Sequence, residues 1–143
     1  MTVENILSGK SREVVTIQPH RTLTEAVRLL AERRIGAVVV SEAGEIVVGI
    51  ISERDLVRAL ASGGSAVLDD PVSSRMTSNV VTCTRRAAIN EVMELMTEGK
   101  FRHVPVVENG RLTGIVSIGD IVKQRLAEVE AEHQALREYI ATA

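Results

Sequence analysis

Two short phrases in this 143-residue chain carry ligand-binding potential: Ser52-Glu53-Arg54-Asp55 and Ser117-Ile118-Gly119-Asp120. Each follows a glycine and two aliphatic residues, so each serine falls where a strand gives way to a helix. A helix start offers unpaired backbone N–H groups and partial positive charge, a ready seat for phosphate. The serine hydroxyl adds a donor, and the aspartate three residues on brings two acceptor oxygens suited to the adjacent hydroxyls of a ribose. Together they predict preference for a ribonucleotide over its 2′-deoxy analogue. The same spacing is also close to a capping box, in which both side chains serve only the helix end.

A phosphate needs cations as well. Arg54 lies inside the first phrase, and Arg102 and His103 precede an inner strand of the second half. Arginine presents a planar fork of donors matched to phosphate oxygens, so Arg54 and Arg102 rank before Arg34 and Lys100, which read as solvated helix ends. His103 either contacts phosphate or caps a carbonyl. Three scattered histidines and one cysteine, Cys83, predict no metal site. The chain shows no Ser/His/Asp or Cys/His arrangement and no Gly-x-x-x-x-Gly-Lys loop, so no enzyme and no catalytic cofactor is expected.

What positions these residues is a repeat. Val14-Val15-Thr16 matches Val80-Val81-Thr82, Glu25 matches Glu91, Leu29 matches Leu95 and Gly44 matches Gly110. With one extra residue in the first copy, Gly49-Ile50-x-Ser52-x-x-Asp55 matches Gly114-Ile115-x-Ser117-x-x-Asp120, and the lead-in Val3 to Leu7 stands against Val72 to Met76. Such self-similarity marks duplicated structural units. Each copy reads as β-α-β-β-α: a β-rich run (Val14 to Ile17, Val80 to Cys83), an amphipathic helix, two strands and a second helix. In the first copy the helix runs from about Thr22 to Arg33 and opens on a Thr22/Glu25 capping box; Ala88 makes the second copy's cap weaker. Strands Ala37 to Val40 and Ile46 to Ser52 flank a turn at Glu42-Ala43-Gly44, and the partner hairpin turns at Glu108-Asn109-Gly110, a strong turn signal. Residues 1–62 form the first repeat with its lead-in, 63–71 a Gly- and Ser-rich linker, 72–127 the second repeat, and 128–143 a helical extension. A unit of some fifty residues buries too little surface to stand comfortably alone. Two copies packed about a pseudo-twofold axis solve that, and create two related clefts between them.

On these residues the chain resembles the CBS-domain family, in its tandem-pair or Bateman arrangement, over about Val3 to Leu126. The marker is the repeated Gly-aliphatic-aliphatic-Ser-x-x-Asp, supported by Arg102-His103-Val104-Pro105-Val106. The resemblance is to small stand-alone bacterial members. It implies an α+β pair of repeats and regulatory binding of AMP, ATP, NAD or S-adenosylmethionine in the clefts. By the same resemblance an adenine slot takes its walls from Thr16, Ile17 and Pro19, or Thr82 and Cys83. The second strand's start adds Ile35, Gly36, Ala37 and Val38, or Phe101, His103, Val104 and Pro105. Plain core packing is the other reading for the aliphatic members. The copies differ where the first has Gly36-Ala37 and the second Arg102-His103, and where Glu53-Arg54 stands against Ile118-Gly119, so the clefts should differ in affinity.

Composition narrows the partners. The chain is 45% hydrophobic and 25% charged with a formal net charge of −2, which argues against disorder. It lacks the broad basic face that duplex nucleic acid requires. Phe101 and Tyr139 are its two aromatic residues, leaving little for base stacking. No apolar run is long enough for a bilayer, and the first residues lack a signal-peptide pattern. One cysteine fits a reducing cytoplasm. From Ile118 onward the chain reads as one long helix. Val122, Leu126, Val129, His133, Leu136 and Ile140 fall at spacings of four and three, the seam of a coiled coil. That stripe packs either on the chain's own body or on a second copy. The family resemblance favours a homodimer, with an unidentified protein downstream.

Overall fold

The structure is a computed structural model that describes residues 1–10 and 13–142. It opens with α1 (Val3–Ser8), then β1 (Thr16–Ile17), α2 (Leu23–Arg33), β2 (Ala37–Val40), β3 (Gly49–Ser52) and α3 (Glu53–Gly63). Two 3-10 turns, Gly64–Asp69 and Val72–Ser74, lead into α4 (Ile89–Gly99), β4 (His103–Glu108), β5 (Arg111–Ser117) and α5 (Ile118–Thr142). The duplication is therefore an α+β one, with a long C-terminal helix added.

Local chemistry sets the element ends. Thr22 caps α2, its hydroxyl accepting from Glu25 N at 3.2 Å while the Glu25 carboxylate accepts from Thr22 N at 3.2 Å. Ala88, at the matching place before α4, has no side-chain acceptor to offer. Asn109 and Gly110 both take positive φ, 52° and 78°, the two-residue geometry that fits the twist of a hairpin. The first hairpin is looser. Strand pairing begins at Gly49 rather than Ile46, and Ile46 stays 56% exposed.

In the first half β1 runs parallel to β2, and β2 antiparallel to β3. In the second half β4 and β5 pair antiparallel, but the strand expected at Val80 to Cys83 shrinks to one parallel bridge between Cys83 and Val106. Cys83 N donates to Pro105 O at 3.0 Å, and Val107 N donates to Cys83 O at 2.8 Å. The next rung toward Val81 would need an N–H from Pro105, which proline lacks. The ladder stops there for that reason.

Each half has its own aliphatic core, and each core is completed by the other copy's lead-in. Val3 (0% exposed) and Ile6 pack with Ile89, Val92, Val104, Val116 and Ile121 of the second half. Val72, with Met76 beside it, packs with Leu23, Val38, Ile51 and Leu56 of the first. The backbone repeats the exchange. Val3 N donates to Ala87 O (3.0 Å) and Glu4 N to Arg85 O (2.9 Å), while Val72 N donates to Arg21 O (2.7 Å) and Ser73 N to Pro19 O (3.0 Å). The segment expected as a linker is also built in, since the turn at Gly64–Asp69 sets Val67 into the first core. No helix among the described residues is long and apolar enough to cross a membrane.

Candidate functional site

Where the halves meet, a cleft of about 740 Å³ opens. Lys10 and the end of α1 form one side, Val14 and Val15 lie on the approach to β1, and Arg34 to Ala37 form the turn into β2. The second half contributes Arg85, His103, Thr113 to Ile115, Ser117 and Asp120. Its most polar corner is the start of α5. Ser117 N donates to Asp120 Oδ2 at 2.9 Å, and Asp120 N donates to Ser117 Oγ at 3.1 Å. Lys10 Nζ donates to the same Oδ2 at 2.7 Å and to Ile115 O at 3.0 Å. Asp120 Oδ1 carries no hydrogen bond among the described residues, and Asp120 is one of the residues that line the cleft.

The pseudo-equivalent corner at the start of α3 is closed differently. Asp55 Oδ2 accepts from Ser52 N (2.9 Å) and Ser52 Oγ (3.0 Å), and its Oδ1 accepts from Thr77 Oγ1 at 3.3 Å. Both phrases are thus true capping boxes, and they differ in what reaches the second oxygen. The helix starts are less open to phosphate than the spacing suggested. Glu53 N donates to Gly36 O (3.0 Å) and Ile118 N to Arg102 O (2.8 Å), while both aspartate N–H groups are spent on the serine hydroxyls.

Charge at the cleft is finely set. Burial alone would raise the Asp120 pKa, but hydrogen bonds from Lys10 and Ser117 and the Lys10 charge outweigh it, and the net shift is downward. Burial pushes His103 below its ordinary value; Asp120 and Glu53 pull it up, and Lys10 and Arg102 push it down. Arg85 is paired with Glu4 at 2.8 Å and Arg33 with Glu13 at 3.0 Å. Arg34 has no ion-pair partner among the described residues.

Of the residues singled out in the sequence, Ile35, Gly36, Ala37, His103, Ser117 and Asp120 come together on this cleft. Gly36 is small for a reason: a Cβ there would lie 3.2 Å from His103 Cε1. Thr16 and Ile17 instead border a separate outer hollow of about 630 Å³ beside Arg21 and Glu25, because the cleft takes the two preceding residues. Pro19 is used through its carbonyl, on Ser73. Val38, Val104 and Cys83 are buried in the cores, Pro105 is buried next to Val104 in β4, and Thr82 is exposed. Burial, with Glu108 adding to it, pushes the Cys83 thiol up to about 11, so it is protonated and unreactive. Phe101 is half-buried against the second core. Arg54 reaches across to the Lys100 carbonyl at 2.9 Å, away from the cleft, and Arg102 and Gly119 are exposed outside its lining. Lys10, Val14, Val15 and Arg85 escaped the sequence reading. One signal pointed there: six residues separate Leu7 from Val14, against three between Met76 and Val80. Among the described residues no group of three or more His, Cys, Asp or Glu is placed to hold a metal ion.

A family model described as CBS domain matches residues 3–62 and 72–127. A crystal structure of a CBS-domain containing protein from Agrobacterium tumefaciens is similar with a TM-score of 0.84 and 52% identity, covering 87% of this chain and 92% of that one. The uncharacterized 17.7 kDa protein of Acidianus ambivalens is 36% identical over 115 residues, 80% of this chain and 68% of its own length. A mitochondrial CBS domain-containing protein of Arabidopsis thaliana is 35% identical over 123 residues, and the chain spans 60% of it. Two similar structures hold adenosine compounds. One is the CBS domain pair of protein MJ0100 in complex with 5′-methylthioadenosine and S-adenosyl-L-methionine (TM-score 0.77, 26% identity, 87% of this chain and 98% of that one). The other is a CBS domain protein from Pyrobaculum aerophilum complexed with AMP (TM-score 0.74, 28% identity, 84% and 89%).

Proposed function

This chain belongs to the CBS-domain family, a family of regulatory modules rather than catalysts, and on that premise we propose that it senses an adenine nucleotide in the cleft at Asp120. The observation that carries the reading is the Asp120 carboxylate, anchored through Oδ2 by Lys10 and Ser117 with Oδ1 left for a ribose diol. Val14, Val15, Ile35 and Ala37 supply an apolar wall for adenine beside backbone edges, the usual composition of a small-molecule site. Arg34, with no ion-pair partner among the described residues, supplies positive charge for a phosphate, and Lys10, held to Asp120, lies on the same cleft. The Arg34 guanidinium suits AMP, or the adenylate end of ATP or NAD, through a phosphate that S-adenosylmethionine lacks. Ligand bound between the halves shifts their balance through its different affinity for their arrangements, and a downstream protein reads the change. The working unit is a homodimer, and a reducing cytoplasm suits its single buried thiol.

The second reading is an interaction module with spent pockets, favoured by the two closed capping boxes. Thermal unfolding with AMP, ATP, NAD and S-adenosylmethionine separates the two. At a hundred times its dissociation constant the right ligand adds about 2.7 kcal/mol; a spent module shows no shift with any of them.

A further inference from the structure

The C-terminal helix leaves a seam uncovered. In α5, Ile121 is buried in the second core, and Gln124 and Glu128, one and two turns on, keep partial contact with the body. Val122 starts a different face, about 100° around the helix. Its followers Leu126, Val129, Leu136 and Ile140 are 58%, 52%, 56% and 66% exposed. A stripe of that length left in water is costly, and the fold turns it away from its own body.

The charges flanking the seam select the occupant. With Val122, Val129 and Leu136 at d and Leu126, His133 and Ile140 at a, the g positions hold Arg125, Glu132 and Tyr139 and the e positions Lys123, Glu130 and Arg137. In a parallel pair each g faces the next e of the other helix, which sets Arg125 against Glu130 and Glu132 against Arg137 in both directions. An antiparallel pair matching the same layers sets Glu130 on Glu130, Glu132 on Glu132, and Lys123 on Arg137. Like charges there repel. His133, the lone polar a residue, meets its own copy in parallel register and an aliphatic residue after a one-heptad slip, the known use of such a residue in fixing register.

We propose that the α5 tails of two copies form a parallel, in-register two-stranded coiled coil, placing both bodies at one end. This rests on the homodimer reading and specifies its orientation. Arg125 already meets Glu128 of its own helix at 2.7 Å, so the cleaner probe is the Glu132 and Arg137 pair.

Sedimentation of the full chain gives the dimer constant. Glu132→Arg should weaken the dimer about fivefold, and Glu132→Arg with Arg137→Glu should restore it, on the usual scale of exposed pairs. Leu136→Cys, oxidised with diamide, should give a covalent dimer on a non-reducing gel, with wild-type chain as control because Cys83 is buried. A dimer indifferent to both charge variants, or one in which Leu136→Cys joins only to Leu126→Cys, overturns the parallel tail and leaves the homodimer standing. A chain that sediments as a monomer throughout overturns both.

Discussion

Lys10 Nζ sits 2.7 Å from Asp120 Oδ2, tying the lead-in of the first repeat to the first helical turn of the last element. The contact does two things at once. It closes one side of the cleft, and it holds the carboxylate ionised while using only one of its oxygens. The corresponding aspartate, Asp55, meets the neutral Thr77 instead. Duplication produced two equal phrases, and a longer lead-in made one of them a charged corner.

Asp120 should therefore dominate nucleotide affinity. Asp120→Asn removes charge-assisted bonds to the ribose worth about 2 kcal/mol, so the AMP dissociation constant measured by calorimetry should rise roughly thirtyfold. Asp55→Asn should change it less than threefold. Equal losses from the two variants would mean that both corners hold ligand.

Arg34 and Arg54 make opposite predictions for the phosphate. Arg34 borders the cleft without an ion-pair partner among the described residues, and Arg54 is committed to the Lys100 carbonyl. Arg34→Ala should weaken AMP about tenfold, the scale of one charged hydrogen bond, while leaving adenosine unchanged. Arg54→Ala should leave AMP as it was. If adenosine falls together with AMP, Arg34 is shaping the adenine slot and not reading the phosphate.

These predictions show where the sequence was legible. Ser117 and Asp120 could be read because their partners lie three residues apart, and the Thr22/Glu25 cap and the Asn109-Gly110 turn are local in the same way. Lys10 could not, since its partner is 110 residues away and ion pairing leaves no periodic trace. The shift of the cleft wall from Thr16 and Ile17 to Val14 and Val15 has a similar cause. Alternation marks which residues face inward, and the cleft lies beyond the end of the short β1 ladder, where alternation no longer applies. Arg54 misled because it sits inside the phrase, whereas its guanidinium answers to a distant carbonyl.

The cleft histidine gives a pH test. Burial lowers the His103 pKa, so the folded chain prefers the neutral ring, and below the ordinary value of 6.5 the unfolded chain takes up more protons. Stability should fall as pH drops from about 6.5 through the lowered folded pKa. His103→Gln should flatten that decline in urea midpoints measured between pH 7 and pH 5. Asp120 acts in a lower window: its lowered pKa keeps its contribution whole above about 4, the ordinary carboxylate range, and loses it only as pH falls further. A His103→Gln chain that loses stability between pH 7 and 5 as steeply as wild type assigns the decline to other groups.

The exchanged lead-ins supply the last prediction. Val3 belongs by sequence to the first repeat, yet it is fully buried among Ile89, Val92 and Val116 of the second. Val3→Ala removes two buried methyl groups and leaves a void, a loss of about 2 kcal/mol. Amide shifts should move at Ile89, Val92 and Val116 and stay put at Leu23 and Val38. Val72→Ala should show the reverse pattern, because its side chain completes the first core. Because α1 also carries the chain into Lys10, Val3→Ala should weaken nucleotide binding through a residue that lies outside the cleft lining. Shifts centred on Leu23 and Val38 in the Val3→Ala chain would place the lead-in on its own repeat and dissolve the link between core exchange and cleft.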